Sequence, residues 1–530
     1  MRSYLQLATS IKKECLTIFL MGLLAGLLGS VSTSIYAGPS VPYMPSWQAR
    51  HHLERLVDEA GLQITTTHWP LPSSAVQNAL DDLAKDLSPS LAESKEYISE
   101  ELRKLRRQGK ADAQFRNRAE APVGFGENYT PGSSIRISSA ATGTGPNDLP
   151  IAARIGIRVE ANPNSLQTEF SGWGKEGRVQ AKLDDTALVT EFSGINIQAF
   201  AHQNWWGPGW QSSLINGSND PPWMGVGIQR SEVKSSESKW LSWMGPWSFE
   251  MYVAQAQDPI VVANQPDGFY FIGTRMTLKP WSWLEIGLTR DIQTGGTGRA
   301  SGISDILNQA FTTGGEHSFQ GSTQQDVSNG VAGYDVRFNC PKGVHCAFYY
   351  QWMGEDSSGQ SHLPNSFMTL AGLDWWSTSG RHRVFTEFMQ TYTDSFPWNV
   401  SKYTGSGYRN WAYPQGFTNG GRWIGSSFGG DARIFTVGWL DTEVSRLLKF
   451  YSGETSTALG SYDPNTNATG NLIGPHGRLV GFGAQQSFKW NEWTVTPELA
   501  YTHLAQGISI GVNKTTDIRA GVAFSRSFGD

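Results

Sequence analysis

The sequence predicts an all-β, antiparallel transmembrane barrel that follows a small α-helical region and an export signal. Three observations predict it: apolar and polar residues alternate in successive segments, short links alternate with long loops, and an apolar stretch follows two lysines near the N-terminus. A strand places neighbouring side chains on opposite faces, so strict alternation gives a sheet one apolar face and one polar face. A membrane barrel turns the apolar face outward and the polar face toward its lumen.

The clearest alternation lies in two strands predicted at 269–279 and 283–290, which are joined by a tight turn. One face carries apolar side chains, and the other carries glycine, threonine and charged side chains. The apolar set is Tyr270, Ile272, Met276, Leu278, Leu284, Ile286 and Leu288. The same pattern recurs at 153–160, 331–338 and 480–489. Because unpaired buried charges are costly, the charged face needs water or partner charges, and a polar lumen supplies both.

Several charged residues are predicted to point into this lumen. They are Arg275, Glu285, Asp335, Arg337 and Glu387. Arg275 and Glu285 are expected to lie opposite each other, or one diagonal step apart, across their hairpin. One interpretation is that these residues form ion pairs that make the barrel rigid. The other is that rings of charge tune permeation through an open pore.

Loop lengths distinguish a membrane barrel from a large soluble β-protein. Short links at 279–281, 377–380 and 490–492 alternate with long segments at 291–330, 394–431 and 453–477. Short turns on one rim and long loops on the other are typical of outer-membrane barrels. We therefore expect a barrel over 121–530, as a monomer in contact with outer-membrane lipid.

Composition is compatible with a single barrel. Of 530 residues, 17% are charged and 12% are aromatic. The 59 glycines exceed the usual fraction of about 7%, as turns and close strand contacts require. The mean hydropathy of −0.36 is compatible with a membrane protein because only half of each wall strand must be apolar. A net charge of −5 gives no indication of nucleic-acid binding.

Residues 1–37 are predicted to be a Sec signal peptide. Lys12 and Lys13 precede the apolar run at 15–28, and Ala37 offers a small residue at a cleavage point before Gly38. The apolar run is too short to be the sole membrane span of the protein. Export from the cytoplasm therefore follows.

The mature chain would keep two cysteines, Cys340 and Cys346, which flank a turn at 341–345. A disulfide across this turn suits an oxidising compartment, and two free thiols are the alternative. Zinc binding with His345 is less favoured because too few further ligands lie nearby. We expect no metal site and no cofactor.

A helical region is predicted at 38–120, before the wall. Apolar residues at helical spacing predict helices from Ser46 to Ala60, from Ser73 or Ser74 to Leu87, and from Ser90 to Arg107. Ser73 or Ser74 is expected to cap the second helix. We interpret the charge run of the third helix as a solvated face. The region is expected to be a periplasmic subdomain, docked on or inside the near end of the barrel.

The most specific motif runs from His202 to Ile215, where it leaves a strand and enters a long loop. With this motif, the sequence resembles the Wzi-type capsule assembly proteins of the Gram-negative outer membrane. Further matching stretches lie at 241–247, 273–290, 295–299, 354–356 and 421–425. These stretches occur in order from about Val41 to the C-terminus, so the resemblance covers nearly the whole mature chain.

The resemblance implies an 18-stranded barrel with a periplasmic helical bundle and a lumen closed by extracellular loops. It also implies a surface lectin that holds capsular polysaccharide on the cell. Asn204 departs from the family, whose members often carry arginine there, and 219–222 departs from an Asn-Ala-Arg-Pro run. The glycan preference of a relative therefore does not transfer. Phe528 lies two residues before the C-terminus, whereas outer-membrane proteins usually end in an aromatic residue.

The loops carry the residue types that bind sugars. Aromatic rings pack on the C–H faces of a sugar, polar groups bind its hydroxyls, and arginine pairs with acidic sugars. The candidate polysaccharide-binding residues are Trp205, Trp206, Trp210, Arg299, Glu355, Asp356, Tyr403, Tyr408, Arg409, Trp411, Tyr413, Arg422, Trp423 and Asp431. For the tryptophan pair at 205–206 and the cluster at 403–413, packing within a loop or the lumen is the alternative to sugar contact.

These observations predict non-catalytic attachment of capsular polysaccharide or exopolysaccharide at the cell surface. A sugar-selective porin is the main alternative, since the lumen charges would line any open path. An outer-membrane glycan hydrolase is a third and weaker alternative. The adjacent acids Glu355 and Asp356 are candidates for glycoside cleavage, but neither a Gly-x-Ser-x-Gly nor a His-Glu-x-x-His motif is evident. We therefore expect no enzyme.

Overall fold

The structure is a computed structural model that describes most of residues 38–529. The residues outside the description are 1–37, 85, 118–120, 131, 146–147, 162–178, 238–239, 257–264, 312–327, 355–366, 395–406, 409–411, 421, 456–476, 506–515 and 530. The predicted signal peptide therefore lies outside the described residues.

In the described chain, 18 antiparallel strands close into a barrel. The closed sheet has 20 segments. In two cases, a pair of consecutive segments forms one interrupted strand, because both segments run along the same neighbouring strand. Numbered β1 to β18 in chain order, the strands are Gly109–Arg116, Ser133–Thr144, Pro150–Ala161, Val179–Leu183 with Thr186–Phe192, Ile195–His202, Trp223–Arg230, Trp247–Gln255, Tyr270–Trp281, Leu284–Thr294, Ser328–Asn339, Cys346–Gly354, Phe367–Trp376, His382–Asp394, Ala432–Asp441, Arg446–Thr455, Gly477–Gln486 with Phe488–Trp490, Trp493–Ala505 and Thr516–Phe528. β18 pairs with β1 and closes the barrel.

The outer and inner faces of the wall follow the predicted alternation. Along β3, Ile155 and Ile157 are 60% and 51% exposed, whereas Arg154 and Arg158 are buried. Large apolar side chains are also exposed on other strands, among them Leu288, Tyr334, Phe348, Phe388 and Phe482. An apolar exterior around a polar interior is the arrangement of a membrane barrel. The predicted fold class and the strand number implied by the resemblance are confirmed.

The two ends of the barrel differ in the length of their connections. At one end, the short-turn rim, few residues join β8 to β9, β12 to β13 and β14 to β15. At the other end, the long-loop rim, the connections span 203–222, 295–327 and 395–431. Cys340 and Cys346 flank a turn at the short-turn rim and form a disulfide, with their Cα atoms 5.3 Å apart.

Helices α1 (Trp47–Glu59), α2 (Ser73–Asp81) and α3 (Pro89–Arg107) precede the wall, and α4 (Ile303–Phe311) lies in a long loop. The Ser46 side chain caps α1 by accepting a hydrogen bond from the Ala49 N–H at 3.1 Å. The predicted cap of α2 is wrong, because Pro72 occupies the N-cap and has no side-chain acceptor. Within the described chain, no helix has the length and hydropathy needed to cross a membrane.

The barrel begins earlier in the sequence than the predicted boundary at residue 120. β1 starts at Gly109, directly after α3, and pairs with both β18 and β2. The charge run of α3 is only partly solvated: Glu100 and Arg103 form an exposed ion pair at 2.7 Å, whereas Glu101 accepts a hydrogen bond from the Tyr43 hydroxyl.

α1 lies inside the barrel near the short-turn rim, and 10 of its 13 residues are buried. The segment after it, 62–72, continues along the lumen and buries Trp69 and Leu71 completely. We call α1 and residues 62–72 the lumen plug. A 3-10 helix lies at Ser242–Met244. Outside the barrel sheet, three short strand pairs form: Pro42–Tyr43 with Leu71–Pro72, His68–Trp69 with Trp205–Trp206, and Thr418–Asn419 with Arg422–Trp423.

Candidate functional site

The motif that begins at His202 turns back into the lumen and joins the plug. Trp205 pairs with Trp69, and Trp206 pairs with His68, in a two-stranded antiparallel sheet. Both residues of the Trp205–Trp206 pair are buried, at 1% and 0% exposure. The Trp206 ring packs edge-on against His68, with the ring centroids 5.9 Å apart. The tryptophan pair therefore fastens a loop of the long-loop rim to the N-terminal segment.

Gly207 and Glu387 determine the path of the loop after the tryptophan pair. Gly207 has a φ of 143°, a backbone conformation that favours glycine, and an added Cβ would lie 2.6 Å from the Gln351 side-chain nitrogen and displace it. The backbone N–H groups of residues 210–212 donate to the Glu387 carboxylate. Glu387, which was predicted as a lumen charge, thus holds a turn of this loop.

Trp210 connects the plug to the wall. The guanidinium groups of Arg50 and Arg383 lie 4.3 and 4.9 Å from its ring centroid. The Trp210 ring stacks on Phe385, and its indole N–H donates to Asp374 at 3.1 Å. Cation–π contacts strengthen when they are desolvated, and this ring is only 4% exposed.

A second loop, the described part of 407–431, packs against the first. The Tyr408 hydroxyl donates to the carbonyl of Leu214 at 2.6 Å. Arg422 donates to the carbonyl and the Oδ1 of Asn219 at 2.6 and 3.0 Å. Trp423 is 0% exposed, and its carbonyl accepts a hydrogen bond from Asn219. We call residues 203–222 and the described part of 407–431 the loop cap.

Among the described candidates, Arg299 alone is not buried. Its guanidinium lies 4.6 Å from the ring centroid of Tyr413 and donates to the carbonyl of Ala412 at 2.7 Å. Tyr413 is buried, as is Asp431. The candidates outside the described residues are Glu355, Asp356, Tyr403, Arg409 and Trp411.

Arg275 and Glu285 point inward but do not face each other. Arg275 lies opposite Thr289 in the hairpin and binds Asp335 of β10 at 2.8 Å. Glu285 instead accepts hydrogen bonds from the backbone and hydroxyl groups of residues 66–67, at 2.8 to 3.0 Å. The predicted pairing is wrong because the strand register separates the two residues. Both side chains still face the lumen, where Glu285 holds the plug.

Arg337 and Arg383 join α1 to the wall. Arg337 binds Asp58 at 2.7 Å. Arg383 forms a close ion pair with Glu54, which also binds Arg50 at 2.8 Å. Burial disfavours the charged form of Glu54, but Arg383, Arg50 and Arg337 outweigh this effect and lower the pKa of Glu54 below its usual value. Glu54 is therefore the central anion between the plug and the barrel.

Sequence reasoning missed the charged residues of the plug. Arg50, Glu54 and Asp58 recur every four residues in α1, and this spacing places them on one helical face. That signal is present in the sequence, but it does not identify the partners on β10 and β13. The buried contact between His68 and Glu250, at 2.9 Å, had no local signal.

The family model described as capsule assembly protein Wzi matches residues 88–445. A Klebsiella pneumoniae protein described as an uncharacterized 55.8 kDa protein in the cps region is 27% identical over 377 residues. That match covers 68% of this chain and 66% of the relative, just under two thirds of its length.

A solved structure shows the same architecture. Wzi of Escherichia coli is an outer membrane protein involved in group 1 capsule assembly and a carbohydrate-binding β-barrel. It matches with a TM-score of 0.71 and 22% identity, over 93% of this chain and 100% of that chain. At this identity the likeness establishes the fold.

Proposed function

Because the chain belongs to the Wzi family of capsule assembly proteins, we propose that it is a non-catalytic outer-membrane lectin. It binds capsular polysaccharide or exopolysaccharide and retains the polymer at the cell surface. The E. coli relative is a carbohydrate-binding barrel of the same fold, which supports this assignment. Retention is the sum of many weak contacts with a repeating polymer, since linked contacts gain strength from high effective concentration.

The lumen is blocked by the plug and the loop cap, and this observation carries the proposal. The plug rises from the short-turn rim, the loop cap descends from the long-loop rim, and the two meet in the sheet that pairs Trp206 with His68. Glu285, Arg337 and Arg383 tie the plug to the wall through buried contacts. A barrel blocked in this way is suited to presenting its long loops as a rigid platform rather than to conducting solutes.

The buried candidates and the half-buried Arg299 have different proposed roles. Trp205, Trp206, Trp210, Tyr408 and Trp423 are buried, so we assign them to packing of the loop cap. Arg299 is accessible at the cap and is the described residue that we assign to polymer contact. Tyr403, Arg409, Trp411, Glu355 and Asp356 remain predictions for the same role.

The proposed orientation places the long loops outside the cell and the helical region in the periplasm, as in other outer-membrane barrels. Residues 1–37 are the proposed Sec signal peptide, and the mature barrel is a monomer. Exposed aromatic residues near the short-turn rim fit the interface between lipid and water. Trp281 and Trp283 stack there, 5.5 Å apart, and Trp240 and Trp243 are 87% and 63% exposed.

Deleting the gene tests the proposal. The polymer should still be synthesised, but it should be released into the medium, and the wild-type gene should restore retention. Complementation with Arg299→Ala should restore less cell-bound polymer than complementation with Lys234→Ala, a control at the opposite rim that is 53% exposed in its side chain. Unchanged retention in the deletion strain would contradict the proposal.

Two assays on purified protein address the alternatives. A sugar-selective porin should conduct ions in planar bilayers and permit liposome swelling, whereas a plugged lectin should do very little of either. A glycan hydrolase should generate new reducing ends from the host's own surface polysaccharide. A clear signal in either assay would replace the lectin proposal with the corresponding alternative.

A further inference from the structure

The plug fills the lumen unevenly. Its hydrogen bonds and ion pairs reach residues on β7, β9, β10 and β13. On the other side, near β1 to β4 and β16 to β18, a cavity of about 1030 Å³ remains. This volume is at the upper end of the range of small-molecule sites, about 300 to 1,000 Å³. We call this space the rim pocket.

The rim pocket is accessible from the short-turn rim. Its lining includes Lys104 and Glu492, whose side chains are 41% and 70% exposed at that rim. At its inner end it reaches His202 at the end of β5 and Ser218 of the loop cap. A molecule in the pocket would therefore enter from the end of the barrel opposite the long loops.

The charges that line the rim pocket are balanced. Eight lining residues are basic and eight are acidic. Many pair with each other across neighbouring strands: Arg136 binds Asp112 at 2.7 Å, and Arg154 binds Asp185 at 2.8 Å. A strongly acidic or basic ligand would be repelled by as many groups as attract it. A hydroxyl group both donates and accepts, so it can bind both members of an Arg–carboxylate pair.

The aromatic part of the lining suits an organic ligand. Tyr97 of α3 is half-buried and lines the pocket beside Tyr43 and Trp47, which are buried. An accessible tyrosine ring can pack on the C–H face of a sugar while its hydroxyl binds a polar group.

We infer that the rim pocket binds an uncharged, hydroxyl-rich saccharide of a few sugar units. This site goes beyond the proposed retention of polymer by the long loops, because it lies at the opposite end of the barrel. In the proposed orientation it samples saccharides on the periplasmic side. It needs no exposed residue of the loop cap, so the two sites can be tested separately.

Isothermal titration calorimetry of the full mature chain, in a detergent without a sugar headgroup, tests the inference. The probes are maltohexaose and cellohexaose, which are uncharged, and a hyaluronan hexasaccharide, which is acidic. At least one uncharged probe should bind with a Kd of about 1 mM or tighter. The acidic probe should bind at least about tenfold more weakly.

A matched pair of variants locates the binding. Ala523 pairs with Gln114 and Thr496, which also line the pocket, so Ala523→Trp should fill it. Val522 is the adjacent residue and belongs to the opposite face of the same strand, so Val522→Trp is the control. Ala523→Trp should weaken binding at least about tenfold, and Val522→Trp should leave it unchanged.

The outcomes that overturn the inference are distinct from failure of surface retention. Absence of binding by both uncharged probes, or stronger binding of the acidic probe, would refute the pocket chemistry. Binding that persists in Ala523→Trp would place the saccharide elsewhere, such as the long loops. If Ala523→Trp does not fold, protection of a Ser525→Cys thiol from maleimide by the bound probe decides the same question.

Discussion

Removing the charge of Glu54 should weaken the docking of the plug while the barrel stays folded. Glu54 binds Arg50 at 2.8 Å, forms a close ion pair with Arg383, and is fully buried. Breaking a buried ion pair by removing one partner costs about 3 to 5 kcal/mol. In Glu54→Gln the amide keeps part of the hydrogen bonding, and Arg383 keeps Asp374 at 2.7 Å. We therefore expect a loss of about 3 kcal/mol in plug docking, at the lower end of that range.

Hydrogen exchange of peptides from α1 measures this loss. Since about 1.4 kcal/mol corresponds to a factor of ten, local opening of α1 should become about 100-fold more frequent. Exchange in the wall strands should change little. The control variant is Glu96→Gln, because Glu96 is an exposed residue of α3. If Glu54→Gln changes α1 exchange by less than about threefold in a folded barrel, the ionic account of plug docking is wrong.

Three further predictions address pH, the loop cap and the membrane. Burial and nearby arginines lower the pKa of His52 from 6.5 to about 4. The unfolded state then binds more protons between these two values, so the stability that neutral His52 contributes, up to about 3 kcal/mol, is full above pH 6.5 and is lost as the pH falls toward 4. Between pH 6.5 and pH 4 the thermal midpoint should therefore change less favourably in the wild type than in His52→Gln, and parallel curves for the two proteins would contradict this. Trp205→Ala should lower the free energy of unfolding by about 3 to 5 kcal/mol and lower the thermal midpoint. Trp490→Ala, at an exposed position, should change neither. Equal thermal midpoints for the two variants would argue against the packing role of Trp205. The fluorescence of Trp240 can be obtained as the difference between the wild-type protein and Trp240→Phe. Lipids brominated near the headgroup should quench this fluorescence. Quenching by aqueous acrylamide instead would place Trp240 outside the membrane.

The wall was predictable from the sequence because its pattern is local. Alternation along β8 and β9 identifies which side chains face lipid, and it needs no knowledge of distant residues. The number of strands came from the family resemblance, and the structure confirms it. The end of α2 was harder to predict, because Leu83 and Leu87 continue the helical spacing beyond Asp81, where the helix ends.

The candidate site was less predictable because its contacts join distant parts of the chain. The aromatic residues of the loops were identified, but a sugar platform and a packed cap require the same residue types. Only burial separates the two roles, and burial of Trp205 depends on its pairing with Trp69 in the plug. The partner of Arg275 likewise depended on the strand register, which places Asp335 beside it rather than Glu285.

The sequence by itself determined a membrane barrel, its long and short connections, and the inward charges, because these follow from residue periodicity and turn spacing. Tertiary structure alone decided that α1 enters the lumen, that Glu54 compensates several buried arginines, and that one side of the lumen stays hollow. The physical reason is that a buried charge must find its partner in three dimensions, and here the partners are hundreds of residues apart: 329 between Glu54 and Arg383.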